Sequence, residues 1–153
     1  MYTIIDLLNR AVTLKNNAYD IYKEISIADN IDDDVKFAAR ILANQENKNV
    51  QACNQLKKDL IKKELPGIDF DVYDKASNLI SGFVYPDSSN ISSINQLLNL
   101  ALDFQKQSIS LMISIQGFLV KEEKDRLSLT YKVLSEIIKE EQKRIDNIEN
   151  FLR

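Results

Sequence analysis

Apolar residues recur in four long stretches of the chain with alternating steps of four and three residues, the spacing of one helical face. Two of these stripes superpose when the numbering is shifted by 90, and the other two with a shift of 95. The first pair is Ile4, Leu8, Ala11, Lys15, Ala18, Tyr22, Ile25 and Ile94, Leu98, Ala101, Gln105, Ser108, Met112, Ile115. The second pair is Ala39, Leu42, Glu46, Asn49, Val50, Cys53, Leu56 and Leu134, Ile137, Glu141, Arg144, Ile145, Ile148, Phe151. The pattern predicts an all-α protein built from a repeated helical hairpin.

Each of the four stripes carries a polar or charged residue near its middle. These residues are Lys15, Glu46, Asn49, Gln105, Glu141 and Arg144. Because all four helices show the interruption at one level, we expect a shared, buried polar site inside a four-helix bundle. Two alternatives are open: each side chain could extend to solvent at a bundle edge, or the helices could form an uninterrupted coiled-coil hairpin.

Start and stop signals place the helices at about residues 4–26, 34–63, 93–119 and 123–152, within one domain of residues 1–153. Thr3 and Asp6 form a weak capping box, and Leu65-Pro66-Gly67 ends the second helix. The crossover of residues 64–92 contains the stretch DVYDKASNLISGFVY, which predicts a short helix. Short connections make each hairpin antiparallel. We expect the crossover to run the length of the bundle, so that the third long helix begins at the same end as the first.

Composition narrows the function classes. The 153 residues contain no histidine, which excludes catalytic triads with a histidine, zinc sites with histidine ligands and haem with a histidine axial ligand. A net charge of -3 without a basic stripe argues against nucleic acid. No apolar run approaches a membrane span, and the start MYTIIDLLNR lacks a positive n-region, so we expect a cytoplasmic protein with no membrane contact. The single cysteine, Cys53, falls on an apolar stripe and is expected to be buried and unreactive.

Four segments of the chain resemble the rubrerythrin branch of the ferritin-like superfamily. They are AVTLKNNAYDIY, LANQENKNVQACNQL, ALDFQKQSISLM and IIKEEQKRIDNIENFL, one from each predicted helix. The resemblance implies a ferritin-like four-helix bundle, in which two helices each give a Glu and two others a Glu-x-x-His to a di-iron site. It covers all four helices and the crossover.

The resemblance places this chain's six polar residues at the family's metal-ligand positions, and most of them depart from the family pattern. Glu46 and Glu141 keep a ligand side chain, whereas Lys15 and Gln105 stand at glutamate positions, and Asn49 and Arg144 at histidine positions. We expect no bound metal, because two cationic side chains lie where metal cations would sit. Lys15 and Arg144 are expected to pair with Glu46 and Glu141, since buried charges are tolerated only when paired.

Three alternatives concern the chemistry of this site. A hard metal could bind to oxygens of Glu46, Glu141, Gln105 and Asn49. A di-iron or di-manganese oxidoreductase, of peroxidase or ferroxidase type, could use a non-standard site. Lys15 could act as a Schiff-base amine, although two nearby carboxylates would hold it protonated. We expect no catalytic residue.

The favoured function is a non-catalytic structural or protein-interaction module whose di-iron site has degenerated. The resemblance also implies a homodimer formed through helix faces. The aromatic residues Tyr73, Phe83 and Tyr85 of the crossover are candidate contacts, with packing over the bundle as an equal alternative.

Overall fold

The structure is a computed structural model and describes residues 1–152. Within these residues the chain forms five α-helices: α1 (Ile4–Ile27), α2 (Asp33–Leu60), α3 (Phe70–Ser81), α4 (Ile94–Phe118) and α5 (Leu129–Leu152). The four long helices are the predicted ones, and α3 is the short helix predicted within the crossover. The chain is therefore all-α, as its periodicity indicates.

Local hydrogen bonds define where the helices begin. The Thr3 side chain accepts from the Ile5 amide and Asp6 accepts from the Thr3 amide, which completes the predicted capping box. Ser93 caps α4 by accepting from the Gln96 amide. In the turn between α1 and α2, Asn30 has φ of 62°, a conformation that asparagine tolerates better than most residues.

Helix α5 begins at Leu129, later than the expected residue 123. A 3-10 turn, Glu123–Leu127, occupies the intervening residues. Asp125 stabilises this turn because its Oδ2 accepts from the amides of Lys121 and Glu122, each at 2.8 Å. Side-chain acceptance of this kind competes with the α-helical pattern. Helix α2 likewise ends at Leu60, ahead of residue 63, where the Lys63 amide turns back to the Leu60 carbonyl.

The expected direction of α4 is wrong. Leu97, Leu100 and Ala101 from its first turns pack with Tyr22 and Ile25 at the end of α1. At the opposite end, Leu111 and Ile115 pack with Ile4 and Leu8 at the start of α1. Helices α1 and α4 are therefore antiparallel. The reason is that the first hairpin returns the chain to the start of α1, so a crossover of bundle length delivers α4 to the other end.

The crossover packs along the bundle and links two apolar clusters. Tyr2 pairs with Ile68 through a 2.7 Å backbone hydrogen bond and stacks on Tyr73 at 3.8 Å between ring centroids. Phe83 contacts both clusters and lies edge-on to Phe104, with centroids 5.7 Å apart. Tyr73, Phe83 and Tyr85 are thus partly buried against the core.

No helix among residues 1–152 combines the length and apolar character needed to cross a lipid bilayer.

A buried polar site between the hairpins

The middle of the bundle, between the two apolar clusters, holds polar side chains from all four long helices. Each lies on an otherwise apolar helical face, so the packing that buries the face also buries the polar group. Five of the six predicted site residues have 4% exposure or less. They are Lys15, Glu46, Asn49, Gln105 and Glu141.

One buried ion pair joins the two hairpins. The ammonium group of Lys15 on α1 lies 3.2 Å from Oε1 of Glu141 on α5. The same oxygen accepts a hydrogen bond of 3.1 Å from the Ser108 hydroxyl on α4. Glu141 is fully buried. A buried carboxylate requires compensation of this kind, because desolvation costs several kcal/mol per ion.

The second carboxylate is held by an amide. Nε2 of Gln105 on α4 donates to Oε1 of Glu46 on α2 at 3.1 Å. Burial raises the pKa of Glu46 above its ordinary range, while the charges of Lys15 and Arg144 act in the opposite direction. Burial, together with the charge of Glu46, raises the pKa of the neighbouring Tyr22 hydroxyl. The electrostatics of this half of the site therefore follow from dehydration first and from ion pairing second.

Asn49 and Arg144, two of the predicted site residues, differ in their burial and in their contacts. Asn49 is buried, and its Oδ1 accepts from Nε2 of Gln45 at 3.1 Å. Arg144 is only partly buried, and it forms no ion pair with a carboxylate of residues 1–152. The expected contact of Arg144 with Glu46 or Glu141 is therefore not formed. A long arginine can keep its charge hydrated at the bundle surface, which avoids the desolvation cost.

Several buried atoms of the site have no hydrogen-bond partner within residues 1–152. They are Glu46 Oε2, Asn49 Nδ2, Gln105 Oε1 and Glu141 Oε2. An unsatisfied buried polar group costs about 1–3 kcal/mol. Each such group calls for a partner, which an ordered water, a bound molecule or an added proton can supply.

Two cavities flank the site, and Arg144 lines both. The larger, of about 430 Å³, extends from Glu46 and Gln105 between α2, α4 and α5. The smaller, of about 150 Å³, lies beside Lys15, Asn49 and Cys53. Burial raises the pKa of the Cys53 thiol, and Cys53 is a free, buried cysteine, as its place on an apolar stripe predicts.

The donor set does not fit a pair of iron or manganese ions. Such a site uses four carboxylates and two imidazoles, whereas this one offers two carboxylates and the chain has no histidine. The Lys15 ammonium already occupies Oε1 of Glu141. Within residues 1–152, no group of three or more His, Cys, Asp or Glu side chains could hold a metal ion.

Comparison with known proteins identifies the fold. No family model matches the sequence, and no curated protein matches it either. Among solved structures, the chain resembles a ferritin-like diiron-carboxylate protein from Thermotoga maritima, with a TM-score of 0.54 and 18% identity. The match covers 99% of this chain and 95% of the other. The chain therefore has a ferritin-like fold, and at this level of identity the similarity extends to the fold alone.

Two features of the site were absent from the prediction. Ser108 belongs to the apolar stripe of its helix and is not among the predicted site residues, although its position three residues after Gln105 places it on the same helical face. That spacing is the signal by which its contact with Glu141 could have been found. The larger cavity depends on the separation of α2 and α5, which no local pattern reveals.

Proposed function

We propose that this protein is a ferritin-like module of the rubrerythrin type whose di-iron site has been replaced by a metal-free polar network. Its role in this proposal is structural or that of an interaction partner, without redox catalysis. The observation that supports it best is the buried Lys15–Glu141 ion pair, 3.2 Å long, in the middle of the bundle. In this proposal the ammonium group of Lys15 compensates the charge of the buried Glu141 carboxylate, as a bound metal ion would.

The remaining contacts support the same proposal. The Gln105 amide donates to Glu46 where a glutamate would repel it, so one hydrogen bond replaces a metal bridge. Together with the Ser108 bond to Glu141, these contacts join α1, α2, α4 and α5 through their middle. Polar contacts of this type favour one helical register over others, which is a structural use of the site.

The homodimer, the cytoplasmic location and the absence of a cofactor are part of the proposal as predictions. The crossover aromatics are poor candidates for the dimer contact, because they pack against the core of their own chain.

Restoring the family ligands tests the proposal. The variant carries Lys15→Glu, Asn49→His, Gln105→Glu and Arg144→His, which rebuilds four carboxylates and two imidazoles. Cobalt(II) and anaerobic iron(II) titrations of parent and variant would be followed by absorption, together with oxidation of bound iron by peroxide. We expect the parent to bind no metal at the site and the variant to bind it, with affinity weakened where imidazoles lack orienting partners.

A matched control makes the same types of substitution at exposed positions. It carries Lys48→Glu, Asn47→His, Gln107→Glu and Arg126→His. If this control binds metal as tightly as the restored variant does, metal binding does not depend on the buried positions of the site. Peroxide-dependent turnover of iron by the parent would contradict the proposal itself.

A further inference from the structure

The larger cavity has the form of a small-molecule site. Its volume of about 430 Å³ lies in the range typical of ligand pockets, roughly 300–1,000 Å³. It follows α4 from Ile94 to Gln105, which corresponds to about 16 Å at 1.5 Å per residue. Most of its wall is apolar: Ala38, Ile41, Leu42, Leu98, Ala101, Ile148 and Phe151. Long and apolar, the cavity suits a linear hydrocarbon chain.

One end of the cavity is polar and carries unmet hydrogen-bonding capacity. Glu46 and Gln105 line that end with exposures of 2% and 4%. Glu46 Oε2 and Gln105 Oε1 both lack a partner within residues 1–152. Arg144 lines the same cavity and supplies N–H donors without an ion pair in that part of the chain. A ligand headgroup at this end would therefore meet two acceptor oxygens, from Glu46 and Gln105, and one donor group, the guanidinium of Arg144.

The charges around this end favour a neutral headgroup. Lys15 and Glu141 compensate each other in their own ion pair. Glu46 and Arg144 are of opposite sign, so an anion would meet the carboxylate and a cation would meet the guanidinium. Burying either ion beside them would also carry a desolvation cost. A headgroup that both donates and accepts, such as a primary amide or alcohol, satisfies the two acceptors and the donor without net charge.

We propose that the cavity between α2, α4 and α5 binds a neutral amphipathic molecule, with its amide or hydroxyl headgroup at Glu46, Gln105 and Arg144. The apolar chain lies along α4 toward Ile94. Ile41 and Phe151, which are 54% and 79% exposed, flank the tail end. Binding would satisfy the unpartnered oxygens and cover these apolar side chains. The proposal is independent of whether the bundle has a catalytic role.

A set of ligands with one tail and different headgroups tests the headgroup assignment. Decanamide, 1-decanol, decanoate and decylamine would be titrated into the full chain by calorimetry, below their aggregation concentrations. We expect decanamide and decanol to bind about tenfold more tightly than the two ions, since a lost buried hydrogen bond is worth about that factor. Gln105→Leu should remove the preference for decanamide over the two ions. The affinity that the decyl chain contributes should remain.

A pair of alanine substitutions on α2 tests the location. Ala38 lines the larger cavity, so Ala38→Phe should abolish binding of decanamide. Ala52 is exposed and lies outside it, so Ala52→Phe should bind as the parent does. Circular dichroism would verify that both variants fold.

Any of four results would overturn the proposal: no binding of any ligand, tightest binding of an ion, equal binding by Ala38→Phe, or loss of binding in Ala52→Phe. The parent could instead form a dimer that Ala38→Phe abolishes, and bind no decanamide. That result would assign the larger cavity to a second copy of the chain and would equally overturn the proposal.

Discussion

Among individual side chains, Lys15 is unusual because its charged ammonium group is buried in the middle of the bundle. A lysine on an apolar stripe can extend to solvent, and Arg144 does reach the surface in part. Lys15 instead stays 4% exposed and meets Glu141. The difference is physical: Lys15 finds a fully buried carboxylate within reach, whereas the accessible side of α5 lets Arg144 remain hydrated.

The Lys15–Glu141 pair should cost much more to break than to replace. Lys15→Met leaves the Glu141 carboxylate buried with only the Ser108 hydroxyl and should destabilise the fold by about 3–5 kcal/mol. The double variant Lys15→Met, Glu141→Met removes both charges and should lose less than either single variant. Urea unfolding measures each. Lys106→Met, which breaks an exposed pair with Glu149, is the control and should change stability by less than about 0.5–1 kcal/mol. A Lys15→Met variant as stable as this control would mean that the site is hydrated.

Glu46 should give the site a pH dependence of its own. Burial raises the pKa of Glu46 in the folded state, so the folded protein retains a proton that the unfolded chain loses at about pH 4.3. The stabilisation is then complete below that pH and declines as pH rises through the folded-state pKa. The stability of the parent relative to Glu46→Gln should therefore fall as pH rises from about 4.3. Urea unfolding across pH measures this, with the exposed Glu24→Gln variant as control. A relative stability that rises with pH would contradict the burial effect.

Among the helices, the crossover element determines the orientation of the second hairpin. Helix α3 packs over the start of α1 through Val72, Ala76 and Ile80. The chain then continues to Phe83 and Tyr85, which contact Phe104 in the first half of α4. The aromatic residues that looked equally suited to a partner are thus the ones that attach this segment to the bundle.

Truncating a crossover aromatic that contacts both clusters should weaken the whole fold. Phe83→Ala removes edge-on contacts with Tyr85 and Phe104 and should cost about 3 kcal/mol, at the lower end for phenylalanine because the ring is only partly buried. Its neighbour Val84 is 76% exposed, so Val84→Ala should leave stability within about 0.5 kcal/mol of the parent. Thermal unfolding compares the two. Equal melting temperatures would mean that the crossover is not part of the cooperative core.

For the molecule as a whole, periodicity was sufficient to predict the helices and the level of the polar residues, because both depend on local spacing. The contacts within the site were less predictable. Lys15 and Arg144 carry the same charge near the same level of the bundle, yet of the two only Lys15 forms an ion pair within residues 1–152, since side-chain hydration is set by tertiary packing. The direction of α4 was predicted wrongly although the crossover length was known. Its correct direction depends on where α2 ends, at the start of α1.

The central claim for this ferritin-like bundle is that its buried polar site binds no metal ion. The site holds two carboxylates, one bound by an ammonium group and the other by an amide, and in our proposal this network stands in place of a metal site. The metal content of the protein, purified after expression in medium supplemented with iron and manganese, is the decisive quantity. Inductively coupled plasma mass spectrometry of the parent should find far less than one equivalent of either metal per chain. About two tightly bound metal ions per chain, the content of a di-iron site, would contradict the metal-free network.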